Sequence, residues 1–217
     1  LRPIANKNGV SLESLAVLLL PMCGHATGFS KVRCPTLDFE KGTNPWIIFS
    51  NFSGTKKSRS YELMTQVYRN ALEKIMPESG YPDLFVSGSS VDAKGLQLAS
   101  NNGLGLEVVE EMAQWLTCFS WSSSSAVGDY LPLSDCRHWI KATLDEAKSF
   151  EMERTHVSIC MFSQPEVMST FMTEHASTGL SARFLTATAH GGFPSFEILA
   201  SYPSDRDARE RVTQVLL

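Results

Sequence analysis

The chain is short of charge, of long apolar runs and of cysteine pairs, and each shortage removes a class of function. Only 19% of the 217 residues are charged and the net charge is −4. Composition therefore makes no global case for nucleic-acid binding, and any such surface must be local. No apolar run reaches the ~18–20 residues that span a bilayer, so no membrane role is expected. The five cysteines, Cys23, Cys34, Cys118, Cys136 and Cys160, are odd in number and form no C-x-x-C. Reduced thiols and an intracellular setting, cytoplasmic or nuclear, are the expectation. Cys23, His25 and Cys34 are too irregularly spaced for a zinc site and lack a fourth ligand. There is no G-x-S-x-G elbow, no H-E-x-x-H and no internal repeat. Residues 12–23 (LESLAVLLLPMC) look like a signal-peptide core, but Glu13 interrupts them and a buried helix is the better reading.

What is present is a globular composition, 43% hydrophobic, and one stretch around which the rest is arranged. Residues 46–60 read WIIFSNFSGTKKSRS: an apolar run, a short Ser/Gly/Lys loop, then a helical pattern. Strand, loop and helix in that order are the context of a phosphate-binding loop. There, backbone N–H groups surround the phosphates and the following helix aims its positive end at them. Laid on G-x-x-x-x-G-K-[ST], the Walker A pattern, the loop is Asn51, Phe52, Ser53, Gly54, Thr55, Lys56, Lys57, Ser58. Lys57-Ser58 fits the end of the pattern, while Asn51 and Lys56 stand where glycines belong. Asn tolerates a left-handed backbone well; Lys56 must send its side chain out of the loop without blocking it. An ordinary strand-to-helix loop with solvated lysines is the competing account.

Around it the pattern alternates. We expect a helix from Ser11, which caps it, to Leu20, ended by Pro21. A strand or loop lies somewhere in 24–44. A helix over 57–76 ends at Pro77. A short strand over 84–87 precedes a helix over 91–100 and a turn at Asn101-Asn102-Gly103. Strand 104–109 leads into a helix with Met112, Trp115 and Leu116. A Ser-rich loop over 120–125 is followed by a helix over 134–147. Strand 156–162 leads to a helix through His175, then a strand over 183–188, a Gly/Pro loop over 191–194 and a helix over 205–217. This is an α/β chain with a mainly parallel central sheet, and such sheets bind ligands at the carboxyl ends of their strands. It reads as one domain over 1–217. Because Leu1 stands where Met would, we expect a piece of a longer protein.

Three groups fall at expected strand ends: Lys57-Ser58, Glu110-Glu111 and Ser163-Gln164. An apolar strand closing on two acids suits a Walker B element, in which one carboxylate holds Mg²⁺ and the next polarises water. Here Glu110 stands where Asp is usual. Two acids at a helix start also simply complement its dipole. Gln164 can orient water or bond local backbone. Arg183 can stabilise transition-state charge, in its own site or a neighbour's, or form a surface ion pair. Lys56 and Arg59 can add phosphate contacts.

The order of N-P-W at 44–46, S-G-T-K-K-S at 53–58, N-N-G-L-G-L-E-V-V-E-E at 101–111, S-Q-P-E-V at 163–167 and T-G-L-S-A-R-F-L at 178–185 resembles a P-loop family of unknown function. That family occurs in prophage and other mobile-element proteins, beside primase or helicase modules. The resemblance covers residues 11–188. It implies a three-layer, RecA-like P-loop NTPase fold that binds a nucleoside triphosphate, ATP first, with Mg²⁺. Asn51, Ser53, Gly54, Thr55, Lys56, Lys57, Ser58 and Arg59 would bind the nucleotide. Ser58 and Glu110 would hold the metal, and Glu111, Gln164 and Arg183 would be catalytic. The departures at Asn51, Lys56 and Glu110 lead us to expect slow or partner-dependent hydrolysis in a replication or helicase-type protein, with a homo-oligomer possible and nucleic acid met through other regions of the full protein. The alternative is a degenerate P-loop domain serving as an assembly or nucleic-acid-associated module.

Overall fold

The computed structural model describes residues 1–36, 38–75, 85–86, 90–120, 125–188 and 196–217. Its elements run α1 (Arg2–Asn8), α2 (Leu12–Ala26), β1 (Lys31–Cys34), β2 (Phe39–Gly42), β3 (Trp46–Ser50), α3 (Lys57–Ile75), α4 (Val91–Ser100), β4 (Leu104–Val109), α5 (Met112–Ser120), α6 (Ser125–Tyr130), β5 (Trp139–Lys141), β6 (Phe150–Met152), β7 (His156–Ser163), α7 (Pro165–Glu174), β8 (Leu185–Thr188), α8 (Phe196–Ser201) and α9 (Arg206–Val215). No helix among the described residues is long and apolar enough to cross a membrane.

The central sheet has the order β4-β7-β3-β8, with every pairing parallel. Phe85 adds a parallel bridge to Leu106 on the far side of β4. β3 and β7 are buried at every position, as strands covered on both faces must be. Phe49, Leu106, Cys160 and Phe162 face a core built with α1, α2, α3 and α9. Trp46, Ile48, Val157, Ile159 and Met161 face a second core that includes Met112, Trp115, Tyr130 and Phe171. Helices on both faces of a parallel sheet make a three-layer α/β arrangement. Two antiparallel hairpins, β1-β2 and β5-β6, stand outside this sheet.

The second core contains a charge pair. Lys94 of α4 donates to Glu107 in the middle of β4, and the Tyr130 hydroxyl donates to the other carboxylate oxygen. Both charged side chains are 2% exposed. The Lys94 ammonium also lies 5.3 Å from the Trp115 ring centroid, which adds a cation–π attraction. A buried pair of this kind does little for stability as a whole, but losing one partner strands the other.

Several elements differ from the sequence expectation. α2 does not stop at Leu20; Pro21 lies inside it and is buried, as are Met22, Gly24 and His25. Packing of that last stretch outweighs the one backbone bond that Pro removes. The helix expected over 134–147 is absent. A 3-10 turn over Leu131–Asp135 is followed by β5, and a second turn over Glu146–Lys148 by β6. Trp139, Phe150 and Met152 enter the core with the two-residue alternation of strands. β8 begins at Leu185, after a 3-10 turn that contains Arg183. α1 and α8 had no clear signal; of the expected strand over 84–87 only Phe85 and Val86 are described, pairing with Leu106, and most of the Ser-rich loop and all of the Gly/Pro loop lie outside the described residues.

Candidate functional site

Parallel strands bring their carboxyl ends to one edge. Ser50 of β3 stands in register with Ser163 of β7 on one side and Thr188 of β8 on the other. Val109 of β4 is level with Met161 of β7, so Glu110 and Glu111 leave the sheet beside Ser163. Three of the sequence groups, at residues 51–58, 110–111 and 163–164, therefore meet at this edge. One strand, β7, lies between the loop strand and the acidic strand. At ~4.8 Å per strand, that leaves a gap of roughly 10 Å between them.

The loop turns sharply. Gly54 has φ 83° and Lys56 φ 56°, so both occupy the left-handed region. Glycine enters it freely, while Lys56 does so at a cost of about 1–2 kcal/mol. The loop's start is pinned: the Asn51 N–H donates to the Ser163 carbonyl at 3.0 Å, and the Asn51 side chain accepts from the Phe52 N–H at 2.9 Å. Thr55 Oγ1 donates back to the Phe52 carbonyl at 2.8 Å. The first helical bond runs from the Ser60 N–H to the Lys56 carbonyl. Between these, apart from the turn at Ser53-Gly54 that brings the Thr55 N–H to the Phe52 carbonyl, the N–H groups from Gly54 to Ser58 have no acceptor among the described residues. A left-handed residue followed by a helix start gathers such N–H groups into a concave, anion-accepting nest.

Lys57, the first residue of α3, is 8% exposed and crosses over the end of β7. Its Nζ lies 3.4 Å from the Ser163 carbonyl and 3.9 Å from Glu111 Oε1. One carbonyl thus ties together the loop's first residue, the lysine and the strand that carries Gln164. Glu111 is half-exposed, and its carbonyl accepts from Gln114 and Trp115 at the start of α5. Gln164 is the N-cap of α7 and makes no side-chain capping bond. Ser58 and Glu110 are exposed at the same edge. Ser50 Oγ is buried beneath the loop, and no hydrogen-bond partner for it exists among the described residues.

Two further expected residues belong to the loop only in part. Lys56 contributes its backbone, but its ammonium turns toward α1: a Cβ on Gly9 would lie 2.8 Å from Lys56 Nζ. The C-terminal end of α1 suits a cation. Arg59 is held between Asn8 Oδ1, at 3.1 Å, and Glu62, at 3.0 Å. Neither the sequence pattern nor the resemblance pointed to α1 as their partner.

Arg183 does not join the site in its own molecule, which corrects that part of the expectation. It precedes β8, and β8 runs parallel to β3 with Leu185 level with Ile47, so Arg183 sits at the amino-end edge. There it donates to Ser134 Oγ at 2.7 Å and the Gly179 carbonyl at 2.8 Å, and pairs with Asp135 at 3.4 Å. Lys41 also pairs with Asp135, and the two cations hold its carboxyl below the usual range despite partial burial. At the same edge lies a mainly apolar groove of about 720 Å³, lined by Leu20, Cys23, Pro45, Ile47, Arg183 and Leu185 among others. The sequence did not suggest it, because its walls come from four separated segments.

Among the described residues no cluster of three or more His, Cys, Asp or Glu side chains could hold a metal by itself. Compared with known proteins, the chain matches no family model and no curated sequence.

Proposed function

We propose that the loop from Asn51 to Ser58 binds the phosphates of a nucleoside triphosphate, ATP first, together with Mg²⁺. The observation that carries this reading is the run of N–H groups at Gly54 and Lys56–Ser58 with no acceptor among the described residues, at the carboxyl edge of a parallel sheet beside Lys57. The nest and the start of α3 take the phosphate oxygens, and Lys57 supplies a point charge. Ser58 and Glu110 offer hard oxygen donors that suit Mg²⁺, an ion usually held by few protein ligands and the phosphates themselves. The metal would neutralise charge on the phosphates. Glu111 and Gln164 would polarise and orient the attacking water. Arg183 can act only on the site of another copy. A fold of the three-layer P-loop type accommodates all of these placements. The resemblance, rather than the geometry, supplies the setting of replication or helicase-type work in a mobile element.

Without a nucleotide, Glu111 faces Lys57, so the phosphates must take over the lysine before Glu111 can act on water. Slow hydrolysis follows from this competition and from the longer reach of Glu110. The second reading is a degenerate P-loop domain that binds nucleotide weakly or not at all and serves as an assembly module, favoured by the left-handed Lys56 in a glycine place. Phosphate release from ATP and Mg²⁺ by the full chain, compared with Glu111→Gln, separates the two. Slow release that falls at least about tenfold in the variant supports catalysis; equal background release in both leaves the module.

A further inference from the structure

At the far end of β7 from the loop, three polar side-chain atoms are buried with no hydrogen-bond partner among the described residues: His25 Nε2, His156 Nδ1 and Ser158 Oγ. Groups of this kind normally have one, from protein or from ordered water. His156 and Ser158 alternate on β7 and so share the face covered by α2. α2 lies very close there: a Cβ on Gly24 would come 3.0 Å from Ser158 Oγ, and His25 is the next residue. The other nitrogen of each ring is engaged. His25 Nδ1 bonds the Tyr68 hydroxyl of α3, and His156 Nε2 lies 3.2 Å from Thr43 Oγ1. Burial, with some repulsion from His156, lowers the His25 pKa to about 4; burial lowers that of His156 to about 4. Both rings are neutral near pH 7, so each has one donor and one acceptor nitrogen.

We propose that one ordered water sits between α2 and β7, bonded to His25 Nε2, His156 Nδ1 and Ser158 Oγ. Three polar partners are what a buried water ordinarily has. Thr43 Oγ1 can donate to the Ser30 carbonyl and accept from His156 Nε2, which leaves His156 Nδ1 as an acceptor. If Tyr68 donates to His25 Nδ1, His25 Nε2 carries the proton. The water then accepts from His25 and donates to His156, and the Ser158 hydroxyl completes it. The groove at the amino-end edge reaches Gly24 and Thr43, the residues that wall this site, and gives water a way in. The result is a continuous polar chain from Thr43 through His156, water and His25 to Tyr68. It ties β7, whose other end carries Ser163 and Gln164, to α3, whose other end carries Lys57. The water is independent of nucleotide binding and stands or falls separately from the function proposed above.

The full chain without nucleotide tests this. Oxygen-17 relaxation dispersion reads long-lived internal water, and histidine side-chain ¹⁵N shifts read the tautomers. The expected result is at least one long-lived water in the native protein, one fewer in His156→Phe, and the Nε2–H tautomer at both rings. A high-resolution crystal structure should place it ~2.7–3.2 Å from all three atoms. A direct bond between the two rings, a dry gap, or a metal ion at the site overturns the proposal. If His156→Phe does not fold, the crystal structure and the ¹⁵N shifts of the native chain decide the question alone.

Discussion

At the scale of single residues, the two adjacent lysines of the loop have opposite fates. Lys57 crosses β7 toward Ser163 and Glu111, while Lys56 turns toward Gly9. Lys57→Ala should therefore weaken triphosphate binding about tenfold or more, as expected for losing a charge-assisted contact. Lys56→Ala should cost much less. Isothermal titration of both variants checks this, and a larger effect at Lys56 would mean that the loop is misaligned. Lys56→Gly carries a separate expectation. Its φ of 56° is one that glycine adopts freely, so the variant should gain about 0.5–1 kcal/mol in urea unfolding. A loss would show that the contacts of the Lys56 side chain matter more than its backbone.

The elements were legible in the sequence where burial was uniform. Residues 46–50 and 156–162 are apolar runs at strand length and form the two inner strands, whereas 104–109, expected to be inner, is the end strand of the four, with the single Phe85 bridge beyond it. The hairpins were not legible. β1 and β2 have four residues each and are largely exposed, too short and too polar to give a pattern. The stretch over 134–147 has helix-forming residues, yet Trp139 pairs with Phe150 at 4.8 Å between ring centroids, a contact that sequence spacing does not announce. Of the site, the meeting of residues 51–58, 110–111 and 163–164 at one sheet edge could be read in advance. The direction of Lys56, the anchoring by α1 and the far-edge place of Arg183 could not, since they depend on how the ends of separate elements meet.

Two expectations belong to the way elements are joined. Lys94→Met strands Glu107 in the core and should cost about 3–5 kcal/mol, whereas Lys94→Met with Glu107→Leu should cost clearly less than the sum of the two single changes. Denaturant unfolding of the double-mutant cycle reads this, and simple additivity would contradict the pairing. His25, between α2 and α3, gives a pH signature. Its pKa is lowered in the folded protein to about 4 from an ordinary 6.5, chiefly by burial. As pH falls, the unfolded chain takes up the proton first. Stability is intact above about pH 6.5, declines between about 6.5 and 4, and levels off below 4. The loss from His25 is roughly 3 kcal/mol. His25→Gln should flatten that part of the stability–pH curve, and an unchanged slope would place the acid sensitivity elsewhere.

For the molecule as a whole, the sheet has two edges that differ in chemistry. The carboxyl edge holds the nest, Lys57, the acid pair and Gln164; the amino-end edge holds the apolar groove and Arg183. The central claim is that triphosphate goes to the first. Backbone amide shifts of the ¹⁵N-labelled chain, titrated with a slowly hydrolysed ATP analogue with and without Mg²⁺, test it most directly. The account predicts saturable, Mg²⁺-strengthened shifts that are largest from Gly54 to Ser58, with smaller ones at Glu111 and Gln164. No shift in the loop at millimolar analogue, or shifts centred on Trp46, Ile47 and Leu185 at the opposite edge, would contradict it.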